Sequence, residues 1–311
     1  MELDMRTKPT RRVAWPVLSA AALPLAMALG ALARPDVAAQ QQPPPPPSAR
    51  ANAPIDLTGS WVSVVSEDWR HRMATPRRGD YESLPIGPQG RRLADTWDLA
   101  RDDAAGLQCK AFGVGGIMRQ PGRLRIGWQD AATLKVEFDA GTQTRLLHFD
   151  PMARPGGEKT WQGFSVAEWE GPGAGRGGRG RAAQAQFEIG GGAGGGGAVP
   201  PGGAGAGLRG GPPPSDSIFQ GGSLKVVTTH FREGYLRKNG VPYSENASIA
   251  EYFHRLPTHP NGDTWLLVVT IVEDPTYLRE PFYTSTHFKL EPNGTKWSPA
   301  PCRTAPPPPG K

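Results

Sequence analysis

The 311-residue chain has only two cysteines, Cys109 and Cys302, and neither sits in a Cys-x-x-Cys pair. With no His-x-x-x-His beside them, a zinc site or a paired redox motif has nothing to build on. The familiar signatures of chemistry are missing too. The chain has no Gly-x-Ser-x-Gly elbow, His-Glu-x-x-His, P-loop or dinucleotide fingerprint. Beyond residue 39 no apolar run is long enough to span a bilayer. Charge of one sign is scarce as well. The formal charge is +6, and residues 1–39 carry five basic and three acidic side chains, which leaves +4 without them. So small a surplus does not call for a nucleic acid or an acidic partner. The six histidines, His71, His148, His230, His254, His259 and His287, are dispersed. Thr229-His-Phe231 and Thr286-His-Phe288 echo each other, but a metal needs three or four converging ligands. No metal and no cofactor is expected.

What is present begins with an export signal. Arg6, Lys8, Arg11 and Arg12 form a positive start, and Val13 to Leu32 is almost continuously apolar. Ala31-Leu32-Ala33 and Val37-Ala38-Ala39 follow as small-residue sites, so residues 1–39 read as a signal peptide cleaved after Ala39. A retained N-terminal anchor is the alternative reading of the same run. The signal predicts a periplasmic or extracellular protein with no stable membrane span once it is removed. In that oxidising compartment, Cys109 and Cys302 are best read as one disulfide.

Gly 41 and Pro 34 are high counts, and they are concentrated in three segments. A Pro/Gln-rich linker covers 40–54, a Gly/Arg-rich stretch covers 171–222, and a Pro-rich tail covers 303–311. The remainder, about 200 residues, suffices for one domain over 55–302. Gly175-Arg-Gly-Gly-Arg-Gly-Arg181 is similar to the RGG segments of RNA-binding proteins. In an exported chain it reads instead as a disordered loop at a hairpin tip, and no nucleic acid is expected.

From Gly59 onward the apolar pattern is mostly of period two. It predicts strands at 59–65, 123–129, 133–139, 142–149, 160–170, 223–231, 247–256, 264–273 and 281–290. Asp139-Ala-Gly141, Asn239-Gly240, Asn261-Gly262 and Asn293-Gly294 supply turns. One helix is expected over 88–102, with Leu93 and Trp97 on one face. The fold class is therefore all-β: an antiparallel up-and-down barrel or strongly curved meander of eight to nine strands, with a two-sheet sandwich as the alternative.

A resemblance adds to this. Trp161-Gln-Gly-Phe-Ser-Val-Ala-Glu-Trp-Glu170, Ser223-Leu-Lys-Val-Val-Thr-Thr-His-Phe231, Pro242-Tyr-Ser-Glu245, Glu251-Tyr-Phe253 and Glu273-Asp-Pro-Thr-Tyr-Leu-Arg-Glu-Pro-Phe282 occur in that order. Together with 91–121, including Trp97, Cys109 and Met118, they resemble an uncharacterised family of exported bacterial proteins with a β-rich, lipocalin-like body. Gly59-Ser-Trp61 is similar to the Gly-x-Trp that opens a lipocalin barrel. The resemblance implies a fold and a compartment, and it carries no activity.

Strand parity nominates the site. Ile249, Glu251 and Phe253 share a face, as do Gln143, Arg145, Leu147 and Phe149. A carboxylate among core residues needs a partner, and Arg145 is the first candidate for Glu251. Arg145, Glu251 and Trp161 are thus the expected ligand-binding residues of a non-catalytic barrel that takes a small, largely apolar ligand or a cell-envelope partner. The alternative is a hydrolase or isomerase with Glu251 as general acid/base and His230 assisting. A structural ion pair is the plainer reading of the same two charges. Asp274-Pro275-Thr-Tyr277 is expected to be a turn with an anchoring tyrosine.

Overall fold

The computed structural model describes residues 48–171 and 222–308. The expected signal peptide, most of the linker, the interior of the Gly/Arg-rich stretch and the last three residues lie outside the described residues.

Alternating side chains need one wet and one dry face, and closing the sheet on itself supplies both. Nine strands do this: β1 (Gly59–Val64), β2 (Arg123–Trp128), β3 (Thr133–Phe138), β4 (Gln143–His148), β5 (Phe164–Glu170), β6 (Ser223–Thr229), β7 (Ser248–Arg255), β8 (Trp265–Glu273) and β9 (Phe282–Glu291). Each pairs with its neighbour in sequence, and β1 closes the ring by pairing with both β9 and β2. These nine strands are therefore a closed up-and-down barrel, and within that ring no strand edge is left free.

Directions cannot alternate all the way round a ring with an odd number of strands, so one adjacent pair must be parallel. That pair is β4 with β5, joined at Leu147–Ser165 and His148–Val166. The expected antiparallel up-and-down barrel is thus present with this one parallel joint, which the sequence reading did not include. Residues 149–163 carry the chain back along the barrel, as a parallel connection requires.

The core follows from parity. On β8, Leu266, Val268, Thr270 and Val272 are buried. On β7 the buried residues are Ile249, Glu251 and Phe253, and on β9 they are Phe282, Thr286 and Phe288. Trp61, Leu124, Val136, Leu147, Leu224 and Val226 meet them inside. Tyr283, placed by parity on the outer face, is exposed. β5 ends at Glu170, which is paired with Ser223 at the start of β6, so the Gly/Arg-rich stretch leaves and re-enters at one hairpin.

The single helix expected over 88–102 is two. After α1 (Trp69–Met73), α2 (Pro88–Ala94) stops, and α3 (Leu99–Ala104) starts afresh. The break has a local cause. The Thr96 hydroxyl bonds back to the Leu93 carbonyl (2.8 Å), and the Asp98 carboxylate accepts from the Arg101 amide (3.1 Å) as a new N-cap. Trp97 therefore lies in the turn and is buried, whereas Leu93 is exposed.

Two tight turns follow, Gln108–Phe112 and Ile117–Arg119. Their Ala111, Phe112, Ile117 and Met118 pack with the barrel core, so residues between β1 and β2 plug one end. Cys109 in this plug is disulfide-bonded to Cys302, as the cysteine count predicts. At the other end Trp128, Phe149 and Trp169 gather with ring centroids 5.1–6.4 Å apart.

Candidate functional site

Parity on separate strands brings Arg145 and Glu251 together inside the barrel. The guanidinium donates through Nη1 to Glu251 Oε1 (3.1 Å) and through Nη2 to Oε2 (2.5 Å), a two-pronged pair that is 1 % and 0 % exposed. Arg145 Nη2 also reaches Thr228 Oγ1 (3.1 Å) and Ser165 Oγ (3.5 Å), and those two hydroxyls bond each other (2.8 Å). Four successive strands, β4 to β7, thus give one inward polar side chain each to a single buried network. Leu147, Val226, Phe253 and Val268 pack within the same interior. The pair is internally matched, as a buried charge must be.

The other nominated residues lie elsewhere. His230 sits just past β6 with a left-handed φ of 54°, and its Nε2 is 3.2 Å from the Gly157 carbonyl. No hydrogen bond joins it to Glu251. Trp161 precedes β5 rather than opening it, and its ring is covered by the Arg232 guanidinium at 4.1 Å. Sequence spacing could not foresee this, because a turn at Gly163 re-aims the chain before the strand begins.

Trp161 instead borders a groove on the plugged end. A hollow of about 240 Å³ is lined by Leu93, Trp97, Leu107, Lys110, Asp102 and Tyr235, among others. Leu107, Lys110 and Glu233 also line a more open depression that runs on to Trp161, Arg232 and Lys159. Neither Arg145 nor Glu251 borders either one.

The floor is built by hydrogen bonding. Tyr235 lies on the hairpin Gly234–Arg237/Val241–Tyr243 and donates to Asp102 Oδ2 (2.8 Å) on α3. Burial, then that carboxylate, pushes the phenol pKa well up, so Tyr235 stays a neutral donor. Lys110 lies over the Tyr235 ring at 5.0 Å and pairs with Glu233 at 3.7 Å. Tyr277 donates to the other oxygen of Glu233 (2.9 Å), and its own pKa is raised to about 12 by burial and by that bond. The Asp274 turn is what holds Tyr277. Its carboxylate accepts from the Ser244 amide and hydroxyl and from the Thr276 and Tyr277 amides. Gly240 closes the groove wall with φ +81°, against Trp97 so closely that an added Cβ would sit 2.2 Å from the ring.

Among the described residues, His71, Asp80 and Glu82 bring three ligand-type atoms within 4.8 Å of one another. The Arg70 guanidinium already holds that corner: Nη2 donates to Glu82 (2.6 Å) and lies 3.1 Å from His71 Nε2. A resident cation with its carboxylate partner explains the cluster.

Compared with known proteins, the chain matches no family model, no curated protein and no solved structure. Function must therefore be argued from the geometry. Among the described residues no helix is long and apolar enough to cross a membrane. In the groove an apolar surface, aromatic rings and convergent charges meet solvent.

Apart from Trp161, the groove residues escaped sequence reasoning because they come from α2, α3, the plug and the hairpin, with no shared periodicity. One signal was available: Asn239-Gly240 marks a hairpin turn, and Tyr235 lies a few residues before it.

Proposed function

We propose that the protein is an exported, non-catalytic binding protein that holds a small, largely apolar ligand in the plug-end groove rather than inside the barrel. The observation that carries this reading is the hollow between Trp97, Leu107 and Tyr235, with Lys110 and Glu233 at its edge. Leu93, Trp97 and Leu107 suit an apolar or aromatic body. Lys110 and the Tyr277-bound Glu233 suit one polar end. The volume limits the ligand to a small molecule. The export part rests on the N-terminal segment and on the resemblance to exported β-rich proteins.

An acid/base role for Glu251 has less support. Both of its oxygens are engaged by Arg145, and His230 is bonded elsewhere. We read the Arg145–Glu251 pair as an internal brace.

The test is native mass spectrometry of protein purified from the periplasm, looking for a retained small molecule. Trp97→Ala and Lys110→Met should lose it while keeping the disulfide and the far-ultraviolet circular dichroism of the barrel. Retention by both variants would overturn the assignment to the groove. A protein that stays free of ligand when offered small aromatic and aliphatic acids would overturn the binding function itself.

A further inference from the structure

A second recess, separate from the groove, lies where α1, the end of the plug and the hairpin meet. It is lined by His71, Arg72, Gly116, Arg119, Gln120, Leu236, Arg237 and Lys238. Cations dominate that wall, and three of them are almost wholly enclosed: Arg72 at 2 %, Arg237 at 5 % and Arg119 at 8 % exposure.

Their hydrogen bonds leave a specific deficit. Arg72 donates through Nε to the Arg119 carbonyl (3.1 Å) and through Nη2 to Ser63 (3.3 Å). Arg119 donates through Nη2 to Asp68 (2.7 Å). Arg237 donates to the Glu82 carbonyl (2.9 Å) and the Asp80 carbonyl (3.5 Å), and Lys238 to the Arg72 carbonyl (2.7 Å). Arg119 Nη1 is buried and has no hydrogen-bond acceptor, and Arg72 Nη1 has only an ion-pair contact of 3.6 Å with Glu67 Oε1. The carboxylates do not make up the difference. Asp68 serves Arg119 and stands 4.0 Å from Arg237, while Glu67 is 3.6 Å from Arg72 and also faces His287. Four cations thus share Asp68, Glu67 and the more distant Asp80, which also faces His71.

Buried guanidinium donors left open are costly, and an anion is the partner that satisfies the charge and the hydrogen bonds at once. The recess has room for about 10 Å³, roughly one water-sized sphere, so it admits a single atom. We propose that it is an anion-binding site, taking a halide or one terminal oxygen of a carboxylate or phosphoryl group against Arg119 Nη1, on the wall shared with Arg72. Burial, followed by the mutual repulsion of Arg72 and Arg119, already weakens the protonated form of Arg72, and burial holds Arg237 down to about 10. An anion would relieve both. Leu236, Arg237 and Lys238 continue the hairpin that carries Tyr235, so the bound anion would also steady one wall of the groove.

The test uses the full chain in a low-salt zwitterionic buffer free of carboxylate, titrated separately with chloride, acetate and inorganic phosphate and compared at equal ionic strength, while the thermal midpoint is followed. The expected result is a saturable rise with at least one anion, and the anion that acts identifies the source. Arg119→Lys keeps the charge facing Asp68 but removes the free fork arm, and should weaken the effect about tenfold. Should that variant not fold, Lys238→Gln removes a wall cation that holds only one carbonyl. Where chloride acts, a bromide-soaked crystal of the unaltered protein should show an anomalous peak against Arg119 Nη1. Equal responses in the protein and its variant, no saturable response to any of the three anions, or, where chloride is the anion that acts, a recess holding only water in bromide would each overturn the proposal.

Discussion

Removing one charge from the barrel's interior brace has a calculable cost. In Glu251→Gln, Arg145 keeps its bonds to Thr228 and Ser165 but loses a carboxylate that accepted from both Nη atoms. The new amide can accept through its oxygen only, and its NH₂ group faces a guanidinium that has nothing to accept with. Arg145 Nε is already without a partner, so the charge has no second place to go. Breaking a buried pair this way costs about 3–5 kcal/mol, a large part of the roughly 5–15 kcal/mol that holds a domain folded. Urea unfolding, followed by the fluorescence of the tryptophans, should show the midpoint falling with little change in slope. The double variant Arg145→Met/Glu251→Leu should recover most of the loss, because Ser165 and Thr228 still satisfy each other and no charge remains buried. A loss below about 1 kcal/mol for Glu251→Gln would refute the brace. So would full stability accompanied by loss of a retained ligand, which would return Glu251 to the binding site.

Four further outcomes follow from the same geometry. Replacing Cys109 and Cys302 by serine opens a loop with a sequence separation of 193, and should cost about 5 kcal/mol in the chain-entropy model, measured by urea unfolding. Gly240→Ala puts a side chain at φ +81° and into the Trp97 ring, so it should cost about 1–3 kcal/mol and change Trp97 fluorescence; an unaltered spectrum would contradict the close approach. Tyr235→Phe leaves the buried Asp102 carboxylate short of a donor and should cost about 1–3 kcal/mol while weakening ligand retention. Burial, then the charge of Arg237, holds His71 below its ordinary value of 6.5, with Asp80 opposing. The unfolded chain therefore takes up that proton first, and stability should fall as pH drops below about 6.5. His71→Gln should flatten that acid limb in urea midpoints measured across the window, and an unchanged slope would exclude His71 as its source.

Strand positions were legible from residues alone because a barrel wall imposes a strict period of two. Glu251 between Ile249 and Phe253, and Arg145 beside Leu147, could be placed on the inner face and matched as opposite charges, and the pair forms. The disulfide was legible from the single pair of cysteines read alongside an expected export signal. Other features were not. The parallel joint of β4 and β5 depends on the number of strands in the ring, a global count that no window of sequence contains. The break between α2 and α3 turns on two side-chain bonds, at Thr96 and Asp98, that compete with an otherwise plausible helical face.

The contrast is sharpest in the placement of function. Local alternation decides which side of a strand a residue faces, so the inward polar belt was written in the sequence. Whether that belt encloses space depends on how side chains from all nine strands and the plug fill the interior, where Arg145 and Glu251 bond each other and Arg145 reaches Thr228. The groove and the cationic recess join residues far apart in the chain, from α1 to the hairpin. They exist only once the plug, the turn at Gly240 and the Asp274-held Tyr277 are docked on the barrel's end.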